Sequence, residues 1–383
     1  MRAYLESIIL EQINRAEELK KKIHYPLKYP ELSGLAERCT LILDEQINIL
    51  RELKRELQSR ENCDIRDIFR EVRLCIWEIS LLEYYGIPPL YLQTPDIGFL
   101  NKLMFKIHQE IKLPFPPPTV SCTSGEYYYS HPFTNVIFVP LAEPEFLLHM
   151  PDLYHEVGHH VIENMKSELR LQPIKQNYLL AFSKVTEYYS RILVNKRRDY
   201  APPDILMAIQ RIHSQWKDWI EEFFCDLFAL YTLGPAYAWS HLHLTTKKSN
   251  DIYELHILQK QTHPSDESRM RILMHALRNL GFAREADEIQ SRWFQVALFW
   301  GNNTVAEYQY AFPDEVLGEI AELVLDAMRV AGFSLASSEI LSRNGQETEI
   351  RIVLNRAWQK FWQLQGHEFR EWEKSCIQSM RDS

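Results

Sequence analysis

Apolar residues recur at helical spacing along most of the chain. In residues 1–23 they fall at Leu5, Ile8, Ile9, Ile13, Ala16 and Leu19. Residues 41–58 and 65–85 repeat the pattern, with polar faces rich in Glu, Arg and Lys. Pro26, Pro30 and Gly34 separate the first two helices, and Gly86, Pro88 and Pro89 stop the third. These signals predict an N-terminal helical bundle over 1–90, whose faces serve packing or the docking of a partner protein. The pattern then changes. Eleven of the 19 prolines lie between Pro88 and Pro151, a density that a continuous helical domain does not hold. Within this stretch Thr119–Val120–Ser121–Cys122 and Asn135–Val136–Ile137–Phe138–Val139 flank Gly125 and a Ser130–His131–Pro132 turn. Two strands joined by a loop, in a small antiparallel sheet, are expected there. From Pro151 to Trp300 the spacing is helical again, and after Gly301–Asn302–Asn303 further helices are expected near 314–331, 346–365 and 367–380. The chain therefore reads as mainly α (α+β), with parts at 1–90, 91–300 and 301–383.

Composition narrows this. Only 12 of 383 residues are Gly, less than half the usual share, which favours helices over turn-rich β architectures. A net charge of −9 argues against nucleic acid as a partner, and the short basic run Lys196–Arg197–Arg198 reads as a solvated loop. The six cysteines (Cys39, Cys63, Cys75, Cys122, Cys225 and Cys376) form no CxxC pair, so neither a zinc ribbon nor a thioredoxin-type motif is expected. The first apolar stretch is cut by Glu6 and Glu11, unlike a secretory leader, so a reducing cytoplasm is the expected location. The most apolar window, Trp219 to Trp239, contains Glu221, Glu222, Asp226 and Pro235, so no membrane span is expected.

The candidate chemistry begins at His155-Glu156-Val157-Gly158-His159, an H-E-x-x-H sequence. On a helix, residues four apart share a face, so His155 and His159 can hold one metal ion. Glu156 then stands beside the open coordination position, where it can take a proton from the attacking water. Pro151 and Asp152 suit the start of such a helix, and Val157, Val161 and Ile162 supply its apolar packing. Chance alone would place this motif in about one such chain in twenty, so a third ligand must decide. The metzincin extension needs Gly at position 162 and His at 165, and Ile162 and Met165 stand there instead. The other solution is a Glu from a later helix. Residues 216–233 supply one: Trp219, Glu222, Asp226, Ala229 and Leu233 form a single stripe, ended by Gly234–Pro235. Two carboxylates on an otherwise apolar face cost several kcal/mol if buried alone. A zinc ion bound by His155, His159 and Glu222 removes that cost, with Asp226 accepting the spare N–H of a ligand histidine. Glu221 competes for the ligand role, and an ion pair with a buried Arg or Lys is the alternative use of both acids.

These segments resemble the gluzincin metallopeptidases. Gly158 inside the motif and the 63-residue gap from His159 to Glu222 are most similar to the CAAX-prenyl-protease branch. His263–Pro264 followed by Arg269 is similar to that branch's H-P-x-x-x-x-R segment. Pro264, Asp266 and Glu267 suit the start of a helix there, Gly281 its end, and Arg269 heads an apolar stripe with Leu273, Ala276 and Leu280. The resemblance covers roughly residues 119–281. That branch is usually membrane-embedded and no span is expected here, so the resemblance implies the metal chemistry and not a substrate. It also implies an edge strand, around Val136–Val139, beside which an extended peptide can pair; an internal strand is the alternative.

The expectation is thus a zinc-dependent metallopeptidase acting on a protein or peptide. Zn2+ is held by His155, His159 and Glu222, and Glu156 is the general base. His263 supports the developing oxyanion, and Arg269 is an inward-pointing cation near the site. Tyr231, Tyr237, His241 and His243 are further candidates for that support, and Tyr127, Tyr128 and Tyr129 are not ranked. His160, about 100° round the helix from His159, should not join the coordination sphere. Two rivals remain: a zincin-like scaffold or sensor that works by binding a partner through its flanking helices, and hydrolysis of a non-peptide amide with the same ligands.

Overall fold

The computed structural model describes residues 2–23, 27–59, 65–125, 127–247, 251–300, 304–342, 349–364 and 366–382. Pro26, Cys63, Gly301–Asn302–Asn303 and positions 346–348 and 365 of the expected late helix lie outside the described residues. The chain is mainly helical with a small mixed sheet. In order come α1 (Arg2–Ile23), α2 (Ser33–Ser59), α3 (Ile65–Leu81), α4 (Pro88–Tyr91) and α5 (Pro95–Ile111). The strands β1 (Thr119–Ser121), β2 (Tyr129–His131) and β3 (Val136–Phe138) follow. Then come α6 (Asp152–Asn164), α7 (Gln172–Arg198), α8 (Pro203–Leu233), α9 (Pro235–Lys247), α10 (Asp266–Asn279) and α11 (Ala283–Trp300). The last are α12 (Asp314–Val330), α13 (Ser338–Leu341), α14 (Ile350–Gln363) and α15 (Gly366–Asp382). No helix among the described residues is long and apolar enough to cross a membrane.

The described chain divides into two compact units, and the division differs from the three parts expected. The first comprises residues 1–105 and 116–142. Its helices α1, α2 and α3 pack together, burying Leu5, Ile9, Ala16 and Leu19 of the first, Leu43 and Leu50 of the second and Val72 and Ile79 of the third. The sheet belongs to this unit; it corrects the antiparallel expectation and decides for the internal-strand alternative. Its order is β1-β3-β2, with β1 and β3 parallel and β2 and β3 antiparallel, so the sheet is mixed. Val136–Phe138 is the central strand, paired on both sides, so it is not an edge open to a peptide. Asn101 on α5 pins β1 from behind, donating to the Val120 carbonyl at 2.8 Å and accepting from its N–H at 2.9 Å.

The second unit comprises residues 106–115 and 143–383. Its axis is α8, 31 residues long, against which α6, α7, α9, α10 and α12 pack. Trp216, Trp219, Phe223, Phe224, Phe228 and Tyr231 fill the surrounding core. Helix α8 ends where Gly234 takes φ 95°, a left-handed conformation that glycine adopts without strain, and Pro235 starts α9. Asn355 of α14 spans this break, donating to Leu233 O and accepting from Ala236 N. The final helices are thus tied to α8 in one unit. The run Lys196–Arg197–Arg198 is the last turn of α7 rather than a loop. Helix α10 is capped by Ser265, whose side chain accepts from Ser268 N at 3.2 Å, so Pro264 precedes the cap instead of opening the helix.

Candidate metal centre

The site lies within the second unit, where α6 crosses α8. The crossing is close because of Gly158. A Cβ there would stand 2.8 Å from Cys225 Cα, so only glycine lets the two backbones approach this far. That approach brings the His155/His159 face of α6 against the Glu222/Asp226 stripe of α8.

Each histidine sits between two carboxylates. His155 Nε2 faces Glu222 Oε2 at 3.4 Å, while its Nδ1 contacts Asp226 Oδ1 at 3.0 Å. His159 Nε2 faces Glu222 Oε1 at 3.7 Å, while its Nδ1 contacts Glu221 Oε1 at 3.2 Å. Both Nε2 atoms therefore converge on one carboxylate, and both Nδ1 atoms are held from behind by another. Glu222 is 7% exposed, and its Oε2 is buried without a hydrogen-bond partner. A buried carboxylate with one oxygen outside any hydrogen bond, facing two imidazole nitrogens, is an expensive arrangement unless a proton or a cation completes it.

The charges agree. Burial opposes protonation of His155, but hydrogen bonding to Asp226 and the approach of Glu222 outweigh it and push its pKa up to about 10. His159 is raised in the same way, against burial, by Glu221 and Glu222. Burial alone would raise Glu222, yet the approach of His155 and the charges of His159 and His263 pull it down to about 2. Both rings thus hold a proton more tightly than a free imidazole, and a metal at Nε2 has to displace that proton.

Behind His155 lies a closed network. Asp226, with no exposed surface, takes two bonds from Arg269, Nε at 2.8 Å and Nη2 at 2.6 Å, and one from Tyr237 Oη at 2.5 Å. Tyr237 Oη also lies 3.0 Å from His155 Nδ1. Arg269 points inward as its stripe predicts, but it meets Asp226 and Tyr237 rather than the space before the two Nε2 atoms. Both Arg269 and Tyr237 reach His155 only from behind, on its Asp226 side. The ion pair weighed for both acids is thus found at Asp226 and not at Glu222. Burial, only partly offset by Arg269, holds the Tyr237 hydroxyl protonated.

His263 stands at the open side. It is 65% exposed and its Nε2 lies 3.6 Å from Glu222 Oε2. The segment carrying it is fastened along α8: Gln215 donates to His256 O, Gln261 N donates back to Gln215, and Trp219 Nε1 donates to Gln261 O. A cavity of about 300 Å³ adjoins it, lined by Lys260, Gln261, Thr262, His263, Asp266 and Arg269 among others. Glu156 is buried on α6, and its charge acts on His159 and Cys225.

Other candidates fall elsewhere. Tyr231 donates to Ala321 O at 2.7 Å. His241 is buried with its Nε2 3.3 Å from Asp266 O, and His243 packs on Trp358 and Phe361; burial lowers both to about 4. Tyr127, Tyr128 and Tyr129 belong to the first unit. His160 is buried in the core.

Two features escaped sequence reasoning. One is Glu221 on His159 Nδ1, which the competition for the ligand role concealed. The other is Cys225: His155, His159 and Cys225 each offer one potential ligand atom within 4.8 Å of the others, so this buried group could hold a metal. Burial and four nearby carboxylates raise the Cys225 thiol well above its ordinary pKa, which disfavours the thiolate a metal requires. No protein-family model matches the chain, and no curated protein or solved structure matches it.

Proposed function

We propose that this chain is a gluzincin-type zinc metallopeptidase, with zinc held by His155, His159 and Glu222. What carries the reading is the convergence of both Nε2 atoms on the buried Glu222 carboxylate, whose Oε2 makes no hydrogen bond. Tetrahedral zinc with bonds of about 2.0–2.1 Å spaces its ligand atoms about 3.3 Å apart. The 3.4 and 3.7 Å separations found here are close to that spacing. The metal would supply a Lewis acid and lower the pKa of water at the open position.

The chain's own groups divide the remaining work. Glu156, one residue after His155, takes the proton of the attacking water and passes it to the leaving amine. Asp226 and Glu221 hold the imidazoles with Nε2 facing the ion. Arg269 compensates Asp226, so that acid remains an acceptor. His263, at the solvent side of Glu222, is placed to donate toward an oxyanion.

A second reading rests on Cys225. If its sulfur filled the fourth position, the site would be closed and structural, as in a scaffold. Zinc per chain separates the two, measured for the native protein, Glu222→Ala, Cys225→Ser and Glu156→Gln. The peptidase reading expects about one zinc in the native chain, strong loss in Glu222→Ala and native content in Cys225→Ser. Glu156→Gln should retain zinc and lose peptide hydrolysis by at least about 100-fold. Loss of zinc in Cys225→Ser would favour the closed site, and retained turnover in Glu156→Gln would remove Glu156 from its role.

A further inference from the structure

The two histidines are held unequally. Behind His155 stands Asp226, with no exposed surface and bonds from Arg269 and Tyr237 as well. Behind His159 stands Glu221, whose side chain is 44% exposed and whose contact with Nδ1 is 3.2 Å. His159 itself is the more exposed ring, 16% against 10%. Consecutive residues of α8 thus address opposite nitrogens of one imidazole: Glu221 holds Nδ1 while Glu222 faces Nε2. From this asymmetry we infer that Glu221 is the positioning residue for His159, and that the Glu221 side is where the site exchanges its metal.

The inference rests on the zinc-site reading above. The physical reason is a difference in anchoring. A ring fixed by one exposed carboxylate rotates away once that contact breaks, since water competes for both partners. The ring fixed by Asp226 meets a carboxylate with no exposed surface, held in place by Arg269 and Tyr237, so water does not compete for that contact. Metal release therefore starts at His159. Removing Glu221 should speed release without disturbing the interior network.

The test loads the full chain with one zinc and follows transfer to a fluorescent chelator. Glu221→Ala should release zinc about 10–100-fold faster than the native chain. Glu221→Gln, which keeps an acceptor oxygen without the charge, should fall between the two. Asp218→Asn is the control: Asp218 lies on the same helix, pairs with Lys260 at 3.1 Å and should release at the native rate. Cobalt substitution gives a second readout, because a shifted visible spectrum in Glu221→Ala reports altered coordination rather than altered folding. Release from Glu221→Ala within twofold of native, or equal acceleration in Asp218→Asn, would overturn the assignment while leaving the zinc site standing. A native chain that takes up no zinc would overturn the site reading, and this inference with it.

Discussion

Asp226 accepts from Arg269 and Tyr237 and touches His155, all without solvent. Such a group stabilises only as part of a complete set. Asp226→Asn leaves the Arg269 guanidinium buried and uncompensated, a change that typically costs about 3–5 kcal/mol. Urea unfolding of the metal-free variant should show that loss. The double variant Asp226→Leu/Arg269→Met should recover much of the stability, because both charges are gone, yet still bind zinc more weakly with His155 unheld. A double variant as unstable as Asp226→Asn would mean that the pair's desolvation was more than repaid in the native chain. Asp226 and Glu222 were legible in the sequence because helical spacing puts them on one stripe. Glu221 was legible only as a rival ligand: it is off that stripe, and the direction of the His159 ring brings it to Nδ1 instead.

At the scale of elements, the site depends on how close α6 comes to α8. Gly158→Ala places a methyl group 2.8 Å from a backbone atom of Cys225, which cannot rotate aside as a side chain would. The helices must part, at about 1–3 kcal/mol. The histidines then draw back from Glu222, and zinc affinity, measured by chelator competition, should fall by about tenfold or more. Gly34→Ala is the matched control, because a Cβ there meets nothing within 4 Å. It should be neutral or stabilising by about 0.5–1 kcal/mol. Equal zinc affinity in Gly158→Ala and the native chain would show that the crossing tolerates more separation than the site geometry implies. The helices carrying the site were readable because their stripes are long. Helix α5 was hidden by the proline count, although Pro95 sits at its first position and the cluster at Pro114–Pro118 follows its end. Helix α2 begins at Ser33, eight residues before its expected start. The sheet pairing was unreadable for a different reason. Strands of three residues carry too little alternation to set direction or register, and β2 carries no apolar signal of its own.

Across the whole molecule, every proposed site residue belongs to the unit formed by residues 106–115 and 143–383. His155, His159 and Glu156 come from α6, Glu221, Glu222 and Asp226 from α8, Tyr237 from α9, Arg269 from α10, and His263 from the segment fastened along α8. A ligand that binds only the folded state stabilises what must be folded to bind it, by about 4 kcal/mol at a thousandfold excess over Kd. Its effect should therefore be local to the elements that build the site. Hydrogen–deuterium exchange with and without zinc tests this. Added zinc should slow exchange in α6, α8, α9 and α10, because opening any of them releases a ligand or the group that holds it. Exchange in α1, α2 and α3, which contribute no site residue, should not change. A chelator should reverse the protection, and Glu222→Ala should abolish it. Protection spread evenly into α1–α3 would mean that the two units open together. Protection absent from α8, even with zinc bound, would place the metal elsewhere, since α8 supplies both the carboxylate facing the rings and the two that hold them.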